Sequence, residues 1–197
     1  LPLKTWLTAA PQGVQAMMPA IIILLFAWTI GTVVSDMETG QYLASLTKYG
    51  LPVELLPALV FLLSCGMSFA TGTSWGTFGI MLPLAGDMAI ASDVNLLMPM
   101  LSAVLAGSVF GDHSSPISST SILSATGAGS HHMDHVMTQL PYALTVAFGA
   151  FLGYLAMGIT GSTVIGIAVS SVWFIGCCVY HVRQDKKQQL VVATQTH

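Results

Sequence analysis

Asp112-His113-Ser114-Ser115-Pro116-Ile117-Ser118-Ser119-Thr120-Ser121 sets a carboxylate, an imidazole and six hydroxyls around a proline. The rest of the chain is largely hydrocarbon: of 197 residues 54% are hydrophobic and 7% charged, and the mean hydropathy is +0.77. Ordinary soluble domains carry roughly 25% charged residues, so this composition reads as an all-α integral membrane protein. A bilayer core has no water to satisfy open backbone groups, and irregular polar backbone at that depth survives only inside protein or along a wet cavity. The 112–121 stretch therefore points to a pathway.

Before it, residues 94–111 form an apolar run that delivers the chain to Asp112. After it, the polar character continues to residue 130 with hardly any charge. That is too polar for a lipid-facing helix and too uncharged for an ordinary loop, so 112–130 is predicted to be a broken or re-entrant helix, with Pro116 as its breaker. Upstream, Thr71-Gly72-Thr73-Ser74-Trp75-Gly76-Thr77 interrupts an uncharged run over residues 55–86 that is too long for one helix. A second break is predicted at 71–77, where Gly72 and Gly76 let the backbone open. Two interrupted elements are a sequence pointer to a binding site near the bilayer midplane.

About six spans are expected, near 17–35, 52–70, 78–91, 94–111, 136–158 and 161–180. Residues 136–180 hold no charge, Pro141 is expected to kink the fifth span, and 158–163 supplies the turn to the sixth. Residues 1–16 read as a connecting segment. The tail, 181–197, carries Arg183, Lys186 and Lys187, three of the five basic residues, which places it in the cytoplasm by the positive-inside rule. A formal charge of −3 gives no reason to expect nucleic acid. Cys65, Cys177 and Cys178 fall in apolar runs and form no disulfide framework. The opening Leu-Pro-Leu-Lys reads as that of a processed or truncated piece, a C-terminal portion of something longer.

Hydroxyls, a carboxylate and freed backbone carbonyls are hard oxygen donors, suited to sodium or lithium rather than soft metals. Burial disfavours a charged carboxylate and a bound cation favours it. Proton and cation then compete for Asp112, which is the minimal basis for antiport. Candidate ligands beside Asp112 are Ser114, Ser115, Ser118, Ser119 and Thr120, with Thr71, Thr73, Ser74 and Thr77 from the other break. Against this stands the plain reading that serines in membrane helices bond the preceding turn or permit close packing. His113 is placed beside the site as a tuning or pH-sensing group, with a hydrogen bond to a neighbouring carbonyl as the alternative. Asp36 either lines the pathway or is an interfacial acid; Asp87 and Asp93 read as turn residues. No cofactor is expected beyond the transported ions.

The run Gly107-Ser-Val-Phe-Gly-Asp-His-Ser-Ser-Pro-Ile-Ser-Ser-Thr-Ser121, together with Thr71-Gly-Thr-Ser-Trp-Gly-Thr77, resembles the NhaC-type sodium/proton antiporters of the ion transporter superfamily. The likeness extends from the first span through Leu140-Pro141-Tyr142. It implies secondary active transport of Na+ or Li+ against H+ at the bacterial inner membrane by two inverted halves, of which this chain would hold the second. The absent N-terminal half, the lipid bilayer and the two ions are then its partners, with homodimerisation left open. Relatives of that kind commonly carry an acid where Ser119 stands, and some exchange organic acids or amines, which is the alternative within the same fold.

Gly72-Thr-Ser-Trp-Gly76 matches the G-x-S-x-G pattern of serine hydrolases, which here would require an intramembrane protease with His113 as base to Ser74. His131 and His135 at i and i+4 are spaced for zinc, against a solvated loop leading into the fifth span. An accessory membrane subunit needs no pathway, and so no acid at position 112.

Overall fold

A computed structural model describes residues 52–195 without interruption, with side chains to residue 180, and scattered positions between Pro11 and Ser45. The described residues form helices and no strand. After a 3-10 turn at Val53–Leu55, α1 runs Leu56–Thr71 with Pro57 in its first turn, where a missing N–H costs nothing. Gly72, at φ +67, closes it in the left-handed conformation, its N–H donating to the Ser68 carbonyl at 2.8 Å. Only Gly72 and Thr73 separate α1 from α2, Ser74–Ser92. A second 3-10 turn, Val94–Leu96, is capped by the Asp93 carboxylate and leads into α3, Leu97–Ser114. The chain then opens through extended Ser115 and Ser118 into the short α4, Ser119–Gly127. α5, His132–Thr160, follows, and α6 runs Thr163–Gln195.

Contacts fix the directions. Gly107 of α3 faces Phe61 and Ser64 of α1, and Gly111, one turn on, faces Cys65, Ser68 and Phe69, so α1 and α3 run parallel. α2 begins where α3 ends, beside Asp112, and finishes at the turn that starts α3. It is therefore antiparallel to both, and α1–α2 is a hairpin with its tip at Gly72–Thr73. α5 returns antiparallel to α1, from Gln139 beside His113 to Gly158 against the Glu54 carbonyl. α6 reverses again, bonding α5 through Ser170 to Gly149 at 3.1 Å and Trp173 to Thr145 at 2.9 Å.

The core lies between α1, α2 and α3, where Leu56, Val60, Phe61, Ala85, Met88, Met100, Ala103 and Val104 are buried. Phe61 reaches across to Tyr154 of α5, ring to ring at 5.3 Å. Glycines carry the closest approaches, as expected where helices associate in lipid without a hydrophobic drive between them. α6 leaves Val164, Ile167, Val172, Phe174 and Ile175 exposed, an apolar surface suited to lipid.

Among the described residues four segments are long and apolar enough to cross a membrane: Val53–Thr71, Val94–Ser114, His132–Thr160 and Thr163–Tyr180. They correspond to four of the six expected spans. The expected span 78–91 lies within α2, which is a helix but not one of the four. The expected span 17–35 lies largely outside the described residues, as does the 1–16 segment.

The breaks are narrower than their composition suggests. Residues 74–77 are helical, not open, and Gly76 sits inside α2. Asp112, His113 and Ser114 complete the last turn of α3. Residues 132–135 already belong to α5, and the backbone of 181–195 continues α6. Ser74 and Asp112, read as parts of the breaks, are thus helical residues whose side chains meet one another.

Candidate functional site

The tip of the hairpin and the break between α3 and α4 pack on one another. A Cβ on Gly72 would stand 2.9 Å from the Ile117 side chain and 3.1 Å from its carbonyl carbon, so only glycine admits this approach. At that junction sits Asp112, 7% exposed. Ser74, the first residue of α2, donates its hydroxyl to Oδ2 at 3.0 Å. Ser118, the N-cap of α4, donates to Oδ1 at 2.5 Å and accepts from the Thr120 N–H at 3.1 Å. The carboxylate thus bridges the first turns of two helices, where unpaired N–H groups and the helix dipole favour negative charge.

No lysine or arginine occurs anywhere in residues 52–180. A buried carboxylate without a protein cation must be neutralised by hydrogen bonds, by a proton or by a mobile cation. Each serine hydroxyl keeps lone-pair capacity while donating, so the carboxylate and its two hydroxyls form a set of hard oxygens around one point.

The remaining candidates take several places. Ser114 and Ser115 are buried; Ser115 accepts from the Ile117 N–H at 3.4 Å, and the Ser114 hydroxyl has no partner among the described residues. Thr77 is buried but turned to the Thr73 carbonyl at 3.1 Å. That carbonyl also accepts from Ser68 and Thr71, so Thr73 closes the hairpin tip through its backbone. Thr71 and Ser119 are exposed, and Thr120 contributes its N–H. Pro116 offers its carbonyl to His132 Nε2 at 2.6 Å. Asp36 is exposed.

His113 is exposed, and its carbonyl, not its ring, joins the surrounding network, accepting from Ser121 at 3.2 Å and Gln139 at 3.3 Å. Ser74 is bonded to Asp112, so the serine–histidine pair that a protease would require is not formed here. His131 and Asp134 stand 3.9 Å apart in the exposed first turn of α5, and no cluster of three metal-ligating side chains occurs among the described residues.

Sequence reasoning missed Ser68, His132 and Gln139, and it left Ser121 out of the site. Ser68 donates to the Ser108 carbonyl at 2.6 Å and to that of Thr73 at 3.2 Å, tying α1 to α3 and to the hairpin tip. Its signal was available: Ser64, Ser68 and Gly72 recur every four residues along an otherwise apolar helix.

The chain is 52% identical over 172 residues to an uncharacterized protein of Haemophilus influenzae, covering 87% of this chain and 32% of that one. It is 32% identical over 133 residues to an uncharacterized Na+/H+ antiporter of the same organism, covering 66% and 28%. It is 30% identical over 163 residues to the malate-2H+/Na+-lactate antiporter of Bacillus subtilis, covering 76% and 33%. The chain thus spans about a third of the length of these curated relatives. No solved structure matches it. The model of the Na+/H+ antiporter family matches residues 2–159, which contain the hairpin, the break and Asp112, and the chain belongs to that family of multi-pass membrane antiporters.

Proposed function

We propose that this chain carries the ion site of an NhaC-type antiporter that exchanges sodium or lithium for protons, with Asp112 as the shared carboxylate. The observation that carries the reading is a buried acid held by two serine hydroxyls from opposite sides of a hairpin–break junction, with no lysine or arginine in 52–180 to neutralise it. Na+ binding at Asp112 displaces a proton, and a proton displaces Na+; exchange follows if the site faces the two sides of the membrane in turn only when loaded. Ser74 and Ser118, both bonded to Asp112, are the additional ligands at hand. The same reading puts the protein in the bacterial inner membrane with the basic tail in the cytoplasm. The activity belongs to the whole antiporter, whose other inverted half complements this one.

Proteoliposomes containing the protein from its intact reading frame test this. An imposed sodium gradient is expected to drive an opposing pH change, and Asp112→Asn to abolish it. Because one proton competes with one cation, apparent sodium affinity should weaken by up to about tenfold per pH unit on acidification. An affinity independent of pH would remove the shared carboxylate.

The second reading is exchange of an organic acid or amine, favoured by the 30% identity to an antiporter named for malate and lactate. A protein that ignores sodium gradients but exchanges such a solute would establish it.

A further inference from the structure

We propose that His132 is a positioning residue for the ion site, a latch that fixes the α3–α4 break and through it the Ser118 hydroxyl on Asp112. The proposal rests on the reading of Asp112 as the sodium and proton site.

Beside the Ser118–Asp112 bond, the break is held from within only by long bonds from its backbone N–H groups. Ser115 N–H reaches the Asp112 carbonyl at 3.2 Å, Ser118 N–H the Ser115 carbonyl at 3.3 Å, and Ile117 N–H the Ser115 hydroxyl at 3.4 Å. These are long beside the usual 2.9–3.0 Å or so for such bonds. Pro116 brings no N–H, and the residue before a proline is driven to extended backbone, as Ser115 is at ψ 131. The Pro116 carbonyl, outside both helices, needs a donor from elsewhere. His132, at the start of α5, supplies it at 2.6 Å. Among the described residues this is the shortest hydrogen bond reaching the 113–118 backbone from α5, since Gln139 meets the His113 carbonyl at 3.3 Å.

The acceptor sets the tautomer. A carbonyl takes only a proton donor, so Nε2 carries a hydrogen, and in the neutral ring Nδ1 holds the lone pair. Nδ1 is buried and has no partner among the described residues, so the ring's one bond here is the latch. Ser118 lies two residues beyond Pro116. If Pro116 swings away, the Ser118 hydroxyl leaves Oδ1 while Ser74 still holds Oδ2. His132 thus governs half of the carboxylate's coordination without touching it.

The test uses the intact protein in proteoliposomes with His132→Leu, His132→Gln and, as a neighbouring control, His131→Leu. Leucine removes the donor, while glutamine places an amide N–H near the position of Nε2. For His132→Leu the KM for sodium is expected to rise roughly 10- to 100-fold, as for partners that orient metal ligands, with a smaller change in maximal rate. Hydrogen exchange at the amides of Ile117, Ser118 and Thr120 should accelerate at the same time. His132→Gln should restore both, and His131→Leu should behave as wild type. Where leucine impairs folding, His132→Asn, too short to reach Pro116, replaces it in the comparison with glutamine. Wild-type KM and amide exchange in the donor-less variant, or failure of glutamine to restore them, overturns the latch. If wild type itself ignores sodium, the ion assignment fails, and amide exchange with its glutamine rescue still decides the latch.

Discussion

Ser74 and Ser118 hold opposite oxygens of one carboxylate, but only Ser118 also caps a helix. Ser118→Ala removes a bond to a buried acid and an N-cap worth about 1 kcal/mol; Ser74→Ala removes only the former. Both should weaken sodium binding, and Ser118→Ala should lower thermal stability in detergent by roughly 1 kcal/mol more. Equal melting curves would show that the cap contributes nothing. Asp112 stood out in the sequence, with Ser74 and Ser118 as two of nine hydroxyl candidates, because a carboxylate and hydroxyls are costly in hydrocarbon and have few reasons to be there. His132 was not legible. Its role depends on the position of a proline carbonyl sixteen residues away, and its sequence neighbours His131, Asp134 and His135 drew attention toward metal binding instead.

At the scale of elements, the α1–α3 seam is glycine-dependent. A Cβ on Gly107 would lie 2.5 Å from the Phe61 carbonyl, and one on Gly111 would collide with the Cys65 carbonyl and the Phe69 nitrogen. These obstacles are backbone and cannot turn aside. Gly111→Ala is therefore expected to cost 1–3 kcal/mol or so, by forcing the helices apart. Gly66→Ala, whose Cβ meets nothing within 4 Å, should be neutral or slightly stabilising. Thermal unfolding of the two variants side by side checks this, and equal loss would mean that α1 and α3 are not in contact there. Helix existence was readable from the apolar runs, but helix ends were not. Ser74 and Thr77 look like loop chemistry, yet they occupy the first turn of α2, with Ser74 turned to Asp112 and Thr77 to the Thr73 carbonyl.

Among the described residues, buried polar side chains gather around Asp112, and exposed apolar side chains line the Thr163–Tyr180 segment of α6. Val172, 71% exposed, lies near the middle of the Thr163–Tyr180 segment. Val172→Lys should oppose membrane insertion by about 2.5–3.5 kcal/mol, the cost of such a charge at a helix centre, whereas Val172→Ala should insert normally. Equal membrane-integrated yields would show that this face is covered by protein and not lipid.

The division of the Asp112 oxygens between Ser74 and Ser118 has a mechanical consequence. The carboxylate is a strap joining two helix pairs that the chain otherwise connects through the α2–α3 turn. If Asp112 is the proposed ion site, a cation seated against both oxygens would pull on both ends of the strap, while a proton, held by one oxygen, would act on a single end. On the proposed function, the two cargoes would load this strap differently, one across both ends and the other at one.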